Sequence, residues 1–345
     1  MLSQIGTAFL QVTLLSFVLT AVLLHIAKRK KWLDKDPHQI QESQKKVASY
    51  GGIAIFLSFW IGSIFTIPQL LSSSNQFWLF IASIVILIVG IIDDTIELNP
   101  IQKTIGILLA ANLLYFKAGI EFSSALLPEA SPLFFEILSY SATIIWIYAV
   151  TNAVNLIDGV DGLACSVSIV SLITLIITTY FFSLSIRMAF LTMLILLTGA
   201  ILGFLPFNWV PARIYLGDTG ALFIGFMYAA LSVSNLKNAS LFSLIVPVLI
   251  YMVPLFDASY AMMRRFLTNK PIGQADREHL HHRLLRFGFS KRQVVLSMIC
   301  ITIIFSLIAI FSHIWPNYRV IWLIVTGIIL IILMVTMNKL SKQNK

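Results

Sequence analysis

The chain has 345 residues, 58% of them hydrophobic and 11% charged, with 24 Lys and Arg against 15 Asp and Glu for a formal charge of +9. Soluble domains carry about 25% charged residues, so this composition excludes a soluble enzyme and predicts an all-α, polytopic membrane protein. The basic excess, which in a soluble chain would suggest a nucleic-acid partner, is here what membrane topology demands, and no nucleic acid is expected.

Apolar runs near or above the roughly 17 to 25 residues that cross a bilayer lie at about 4–27, 51–70, 76–92, 102–118, 133–150, 162–182, 188–206, 217–235, 239–263, 294–314 and 318–338. They predict eleven spans in a single membrane domain over residues 1–345. The first run precedes Lys28-Arg29-Lys30-Lys31 but lacks a basic start and a small-residue cleavage site. It therefore reads as a retained anchor rather than a secretory signal. With the N-terminus outside, eleven spans put the C-terminus in the cytoplasm. Only Lys117, Arg187, Lys237 and Arg319 of the 24 basic residues then face out, and the other 20 face in, as the positive-inside pattern requires. The cytoplasmic loops run over about 28–50, 93–101, 151–161, 207–216 and 264–293, and their Lys and Arg favour the anionic headgroups of membrane lipids. Cys165 and Cys300 both fall inside spans, a pattern that supports neither a disulfide framework nor a zinc site.

The motifs that carry chemistry all fall on an inward loop or within a turn of one. After the third span comes DDTIELNPIQK, with Asp93, Asp94 and Lys103. Paired carboxylates can hold magnesium together with phosphate oxygens, and Lys103 would neutralise phosphate or pair with an acid; alone, the pair could equally be a hydrated acidic loop. Between the fifth and sixth spans, NAVNLIDGVDGLA spaces Asn152 from Asn155 and Asp158 from Asp161 by three residues. Gly159 and Gly162 permit tight turns there, so amides and carboxylates can surround a nucleotide or a metal-bound phosphate. One DG is an ordinary turn signal, whereas its repetition beside spaced asparagines is not. Gly217-Asp218-Thr219-Gly220 opens the eighth span, where helix capping alone would also favour an acid. Pro247 and Pro254 should kink the ninth run, and Asp257 near its inner end is expected to support the site. In ADREHLHHRLLRFGFS, His279, His281 and His282 with Arg277 and Arg283 form a cationic cluster suited to a pyrophosphate. A solvated basic loop would explain the arginines but not the three histidines.

Together, DD-x3-L-x4-K, N-x2-N-x2-DG-x-DG, GDTG and HLHH resemble the polyprenyl-phosphate N-acetylhexosamine-1-phosphate transferases, and the likeness runs from about Lys45 to Arg292. That membrane family includes the WecA/TagO type and the phospho-MurNAc-pentapeptide transferases of peptidoglycan synthesis. His279-Leu280-His281-His282 is similar to the H-x-HH of the first branch rather than to the three adjacent histidines of the second, and eleven spans also suit the first. One departure lies upstream, where DKDPHQIQESQKKVASYGG does not carry the RK and His of the family segment in place and leaves Lys45 or Lys46 as the replacement basic residue.

The resemblance implies transfer of N-acetylhexosamine-1-phosphate, above all GlcNAc-1-phosphate, from a UDP-sugar to undecaprenyl phosphate. Lipid-linked sugar diphosphate and UMP would form at the cytoplasmic face of the bacterial inner membrane, initiating a cell-envelope glycopolymer such as lipopolysaccharide or teichoic acid. It assigns catalysis to Asp93, Asp94, Asp158 and Asp161, with Asp93 accepting a proton or orienting the lipid phosphate. Substrate binding falls to Lys103, Asn152, Asn155, His279, His281, His282, Arg277, Arg283 and Lys45. Magnesium, with manganese as an alternative, falls to Asp218, Asn155 and Asp94. A homodimer is a further expectation. The competing readings are a phospho-MurNAc-pentapeptide transferase and a membrane transporter. A transporter should place its charges near the bilayer midplane rather than at one face.

Overall fold

A computed structural model describes residues 2–30, 47–67, 69–122, 132–182, 188–234, 245–268 and 279–342, all in helices, turns and short connections apart from one isolated bridge between Ala48 and Ile214. Helix occurs in every one of the eleven apolar runs. Among the described residues, seven stretches are long and apolar enough to cross a membrane: Ser3–Arg29, Ser74–Ile96, Leu133–Ile157, Leu163–Phe182, Met188–Asn208, Lys291–Ile314 and Pro316–Thr336. The protein is therefore an all-α, multi-pass membrane protein.

The centre of the bundle is α8 (Gly217–Ser234), in which every side chain from Thr219 to Ser234 is buried. Around it pack α2 (Gly51–Thr66), α3 (Ser74–Ile96) and α5 (Pro132–Ile157). Outside them, α1 (Leu2–Lys30) lies on α2 and α7 (Met188–Asn208), while α6 (Leu163–Phe182) lies between α7 and α12 (Lys291–Ile314). Near-uniform apolarity suits α6, α7 and α8, whose buried faces leave little room for lipid. By contrast, α13 (Arg319–Lys342) exposes Val320, Ile324, Ile331 and Val335, which is the surface a lipid-facing helix presents.

Small residues set how closely the central helices approach, because packing in a membrane depends on van der Waals contact rather than on exclusion of water. A Cβ at Gly52 would collide with the backbone of Gly220, and one at Gly90 with the backbone of Thr219. Both contacts fall on the first turn of α8. The segment before α2 is pinned to the strand-like 214–216 stretch: Tyr215 N donates to Ala48 O (2.8 Å), Gly51 N to Tyr215 O (3.1 Å) and Gly52 N to Leu216 O (3.0 Å). Those bonds place GDTG beside the inner end of α2.

Local signals end the helices that bring in the remaining groups. Asn99 and Gln102 form a reciprocal capping box at α4 (Pro100–Phe116), with proline in its first turn, and Ser290 and Gln293 form another at α12. The ninth run is broken, as its prolines predict, into α9 (Ile245–Ile250) and α10 (Met252–Leu267) at Tyr251. Pro254 then occupies the first turn of α10, where a missing N–H costs nothing. Buried Tyr251 is held by its hydroxyl, 3.0 Å from Ser168 Oγ.

Candidate active site

Asp93 and Asp94 occupy the last turns of α3 and do different things there. Asp94 reaches across to α8: its Oδ1 accepts from Asp218 N (2.8 Å), and its Oδ2 accepts from Thr219 N (3.0 Å) and Thr219 Oγ1 (2.5 Å). It thus caps a helix 124 residues further along the chain, satisfying amides that α8 itself cannot bond. Gly217 makes the approach feasible, since it sits at φ +72 and a Cβ there would lie 2.7 Å from Asp94 Oδ2. The metal-ligand expectation for Asp94 therefore meets a carboxylate whose two oxygens already accept three hydrogen bonds.

Asp93 is only 5% exposed. Its Oδ1 accepts from Leu98 N (2.8 Å), and its Oδ2 forms a close ion pair with Lys103 Nζ on α4. The same ammonium lies 3.3 Å from Asn155 Oδ1 on α5 and 3.3 Å from Asp218 Oδ1 on α8. Asn155 Nδ2 in turn donates to Asp218 Oδ1. Four helices thus meet at one cation, and the Asp218 side chain keeps 32% of its surface exposed for a ligand.

Asn152 bonds back to Tyr148 O in its own helix (2.9 Å) and is one turn from Asn155. Asp158 lies in the turn between α5 and α6, where among the described residues its carboxylate accepts no hydrogen bond. Burial, reinforced by the charges of Asp218, Asp94 and Asp161, pushes its carboxyl well above the usual range. Asp161 faces another way: its Oδ2 accepts from Ala212 N (3.2 Å) and lies 3.7 Å from Lys291 Nζ. It joins the 209–213 turn to the start of α12.

The histidines sit on α11 (Leu280–Arg286), with His279 at its N-cap. His281 and Arg283 are buried, and a Cβ at Gly159 would collide with the His281 imidazole, so the histidine segment abuts the DGVDG turn. His279 and His281 hold parallel rings 5.8 Å apart, and His282 lies 4.2 Å from His281. Arg283 stands over the Tyr260 ring at 5.5 Å. Asp257, on α10, accepts from Leu280 N (2.8 Å) and lies 3.1 Å from His279 Nδ1. Lys45 and Arg277 lie outside the described residues.

Asp93, Asp94, Lys103, Asn155 and Asp218 are thus in direct contact, Asp158 and the histidines adjoin them, and Asp161 sits at the edge. Asn208, which lies in no motif, and Thr219, which lies in GDTG but is assigned no role by it, hold the frame. Asn208 Oδ1 accepts from Gly162 N (3.0 Å) while its Nδ2 donates to Ile214 O (3.0 Å), and Thr219 provides the hydroxyl for Asp94. An amide at the end of the apolar run FLPFNW is the signal that could have found Asn208.

Among the described residues no three His, Cys, Asp or Glu side chains converge as a ready metal cage. The donor chemistry nevertheless fits a hard cation. Asp93 and Asp218 share the ammonium of Lys103, with Asp94 bonded to the Asp218 backbone beside them, and the partly exposed Asp218 carboxylate and the Asn155 amide are oxygen ligands of the type magnesium takes.

This constellation of carboxylates, amides and a lysine at one end of an apolar bundle is of the kind a membrane enzyme would need to handle phosphate groups. Residues 76–235 match the family described as "Glycosyl transferase family 4". A Bacillus subtilis protein named "Probable undecaprenyl-phosphate N-acetylglucosaminyl 1-phosphate transferase" is 32% identical over 93% of this chain and 89% of its own length. A Thermotoga maritima protein named "Undecaprenyl-phosphate alpha-N-acetylglucosaminyl 1-phosphate transferase" is 27% identical over 86% and 87%. A "Phospho-N-acetylmuramoyl-pentapeptide-transferase" of Halalkalibacterium halodurans is 27% identical over 88% and 96%. The chain belongs to glycosyl transferase family 4.

Proposed function

We propose that this protein transfers GlcNAc-1-phosphate from UDP-GlcNAc to undecaprenyl phosphate, giving undecaprenyl diphosphate-linked GlcNAc and UMP. The observation that carries the reading is the meeting of Asp93, Asn155 and Asp218 at Lys103, taken with the names of the relatives that cover most of the chain.

In the transfer, an oxygen of the lipid phosphate bonds to the β-phosphorus of the nucleotide sugar while the bond from that phosphorus to the bridging oxygen breaks, and UMP departs with the electron pair. Such a reaction needs positioning and charge neutralisation more than covalent help from the protein. Lys103 offsets phosphate charge, and Asp93, held against it, orients the lipid phosphate or takes its proton. Asp94 acts through α8, fixing the direction in which Asp218 points. Asn152, Asn155, Asp158 and the histidine segment surround the nucleotide and diphosphate, with Asp161 holding the adjoining turn. Asp218 and the side-chain oxygen of Asn155 would hold magnesium, which when bound neutralises diphosphate oxygens and stabilises the leaving group. The prenyl chain runs into the bilayer beside the broken α9–α10 element.

The finer topology follows the charge distribution: eleven spans, the N-terminus outside, the C-terminus and active site in the cytoplasm of a bacterial cell. Helix in each of the eleven runs and the 20-to-4 division of basic residues support it. The HLHH pattern favours this donor over UDP-MurNAc-pentapeptide.

The test is release of UMP by the purified protein. It should require both UDP-GlcNAc and undecaprenyl phosphate, stop on chelation of divalent cations and resume with magnesium. UMP release that ignores the lipid, or a donor preference for UDP-MurNAc-pentapeptide, would overturn the assignment.

A further inference from the structure

The Asp257 carboxylate is 1% exposed and sits on α10, outside every motif of the reaction centre. A buried carboxylate is costly unless both oxygens are satisfied, and here each oxygen has one partner from the histidine segment. Oδ1 accepts from Leu280 N at 2.8 Å and Oδ2 lies 3.1 Å from His279 Nδ1. An ionised carboxylate can only accept. Nδ1 of His279 must therefore carry a proton, and since a diphosphate likewise only accepts, Nε2 meets it as a second N–H, with its direction set by the bond on the other side of the ring.

We propose that Asp257 is a positioning residue for the nucleotide sugar: it holds the Nδ1 proton and the ring plane of His279 and so the direction in which the Nε2–H is aimed at the diphosphate. The second bond adds a constraint of its own. Leu280 N–H belongs to the first turn of α11, so one carboxylate sets both where the helix begins and how the preceding imidazole is turned. The parallel ring of His281, 5.8 Å away, takes its place from the same helix start. This inference rests on the proposed reaction, in which the histidine segment contacts the donor.

Asp257→Asn separates the two duties. An amide offers one acceptor oxygen, enough for Leu280 N–H, while its NH2 confronts Nδ1 with a donor and favours a ring with no proton on Nδ1, an imidazole no longer anchored to a charged partner. The expected result is a rise of about tenfold or more in the KM for UDP-GlcNAc, with less than a twofold change in the KM for undecaprenyl phosphate. In the His279→Ala background the same substitution should add less than a twofold further loss, since the positioned ring is already gone. Asp257→Glu, which keeps two acceptors, should recover part of the defect. Full multiplication of the two single losses would mean that Asp257 serves only as a helix cap and would overturn the proposal. An independent readout needs no turnover: ring 15N shifts of labelled histidine, assigned by the signal missing in His279→Ala, should show Nδ1 protonated in the native protein and unprotonated in Asp257→Asn. An unprotonated Nδ1 in the native protein would also overturn it. A wild-type protein inactive on UDP-GlcNAc but with protonated Nδ1 would instead sink the substrate reading and leave the Asp257–His279 geometry standing.

Discussion

Asp93 and Asp94 are neighbours in sequence with opposite surroundings. Asp93 pairs with an ammonium, whereas Asp94 accepts three hydrogen bonds from the start of α8. Substituting them should therefore separate chemistry from architecture. Asp93→Asn should lower kcat with little change in thermal stability, while Asp94→Ala should lower both, leaving two amides of α8 uncapped at a cost of about 0.5–2 kcal/mol for a lost cap. Thermal unfolding in detergent alongside turnover checks the contrast. Equal Tm values for the two variants would contradict the capping role. Asp218→Ala should abolish most turnover, on the order of 10²-fold or more, together with the magnesium dependence, because its loss leaves substrate charge uncompensated. Asp158 gives a test with a worked sign. Its carboxyl is raised by burial and by neighbouring carboxylates, so the folded state binds the proton more tightly than the unfolded chain. Folding is then penalised progressively as pH rises above the unfolded carboxylate range toward the raised folded value. Asp158→Asn should accordingly raise Tm at neutral pH in metal-free protein, lose activity, and give no Tm gain at a pH below the unfolded carboxylate range.

At the scale of elements, the close approach of α2 and α3 to the first turn of α8 sets the separation between Asp94 and Asp218. Gly90→Ala should press on the Thr219 backbone, an overpacking that costs about 1–3 kcal/mol. The same change at Gly327 in α13, where a Cβ would meet nothing within 4 Å, should be neutral or stabilising, since glycine in a helix interior is about 0.5–1 kcal/mol worse than alanine. A Gly90→Ala protein as stable and active as the Gly327→Ala protein would count against the tight α3–α8 contact. These elements also mark what could be read from the sequence. The apolar runs gave helices, and Pro247 and Pro254 gave the break at Tyr251, because length and proline chemistry act locally. The DD, NAVNLIDGVDG and GDTG motifs located most of the side chains that meet. Their division of labour was hidden: Asp94 capping α8, Asp257 holding His279, and Asn208 joining Gly162 to Ile214 are contacts between distant segments, with no periodicity to announce them. Asp161 could not be told from Asp158 for the same reason, since identical DG turns point one carboxylate into the cluster and the other at Ala212 and Lys291.

At the scale of the whole molecule, a buried apolar α8 carries a polar first turn to one end of the bundle, and the other motif-bearing segments gather there. That arrangement lets a water-soluble anion and a lipid-anchored anion share a site, provided that end faces the cytoplasm. Single cysteines introduced at Ser74 and at the exposed Leu156, in a background lacking Cys165 and Cys300, should label from outside and inside the cell respectively, and outside labelling at Leu156 would invert the proposed topology. The central claim concerns the bond that is made. Purified protein should be given undecaprenyl phosphate, magnesium and a panel of UDP-sugars, and the lipid products weighed by mass spectrometry. The account predicts a lipid heavier by GlcNAc-1-phosphate, formed from UDP-GlcNAc in step with UMP and absent with Asp218→Ala. A lipid heavier by the sugar alone, with UDP released, or no lipid product from any UDP-N-acetylhexosamine, would contradict it.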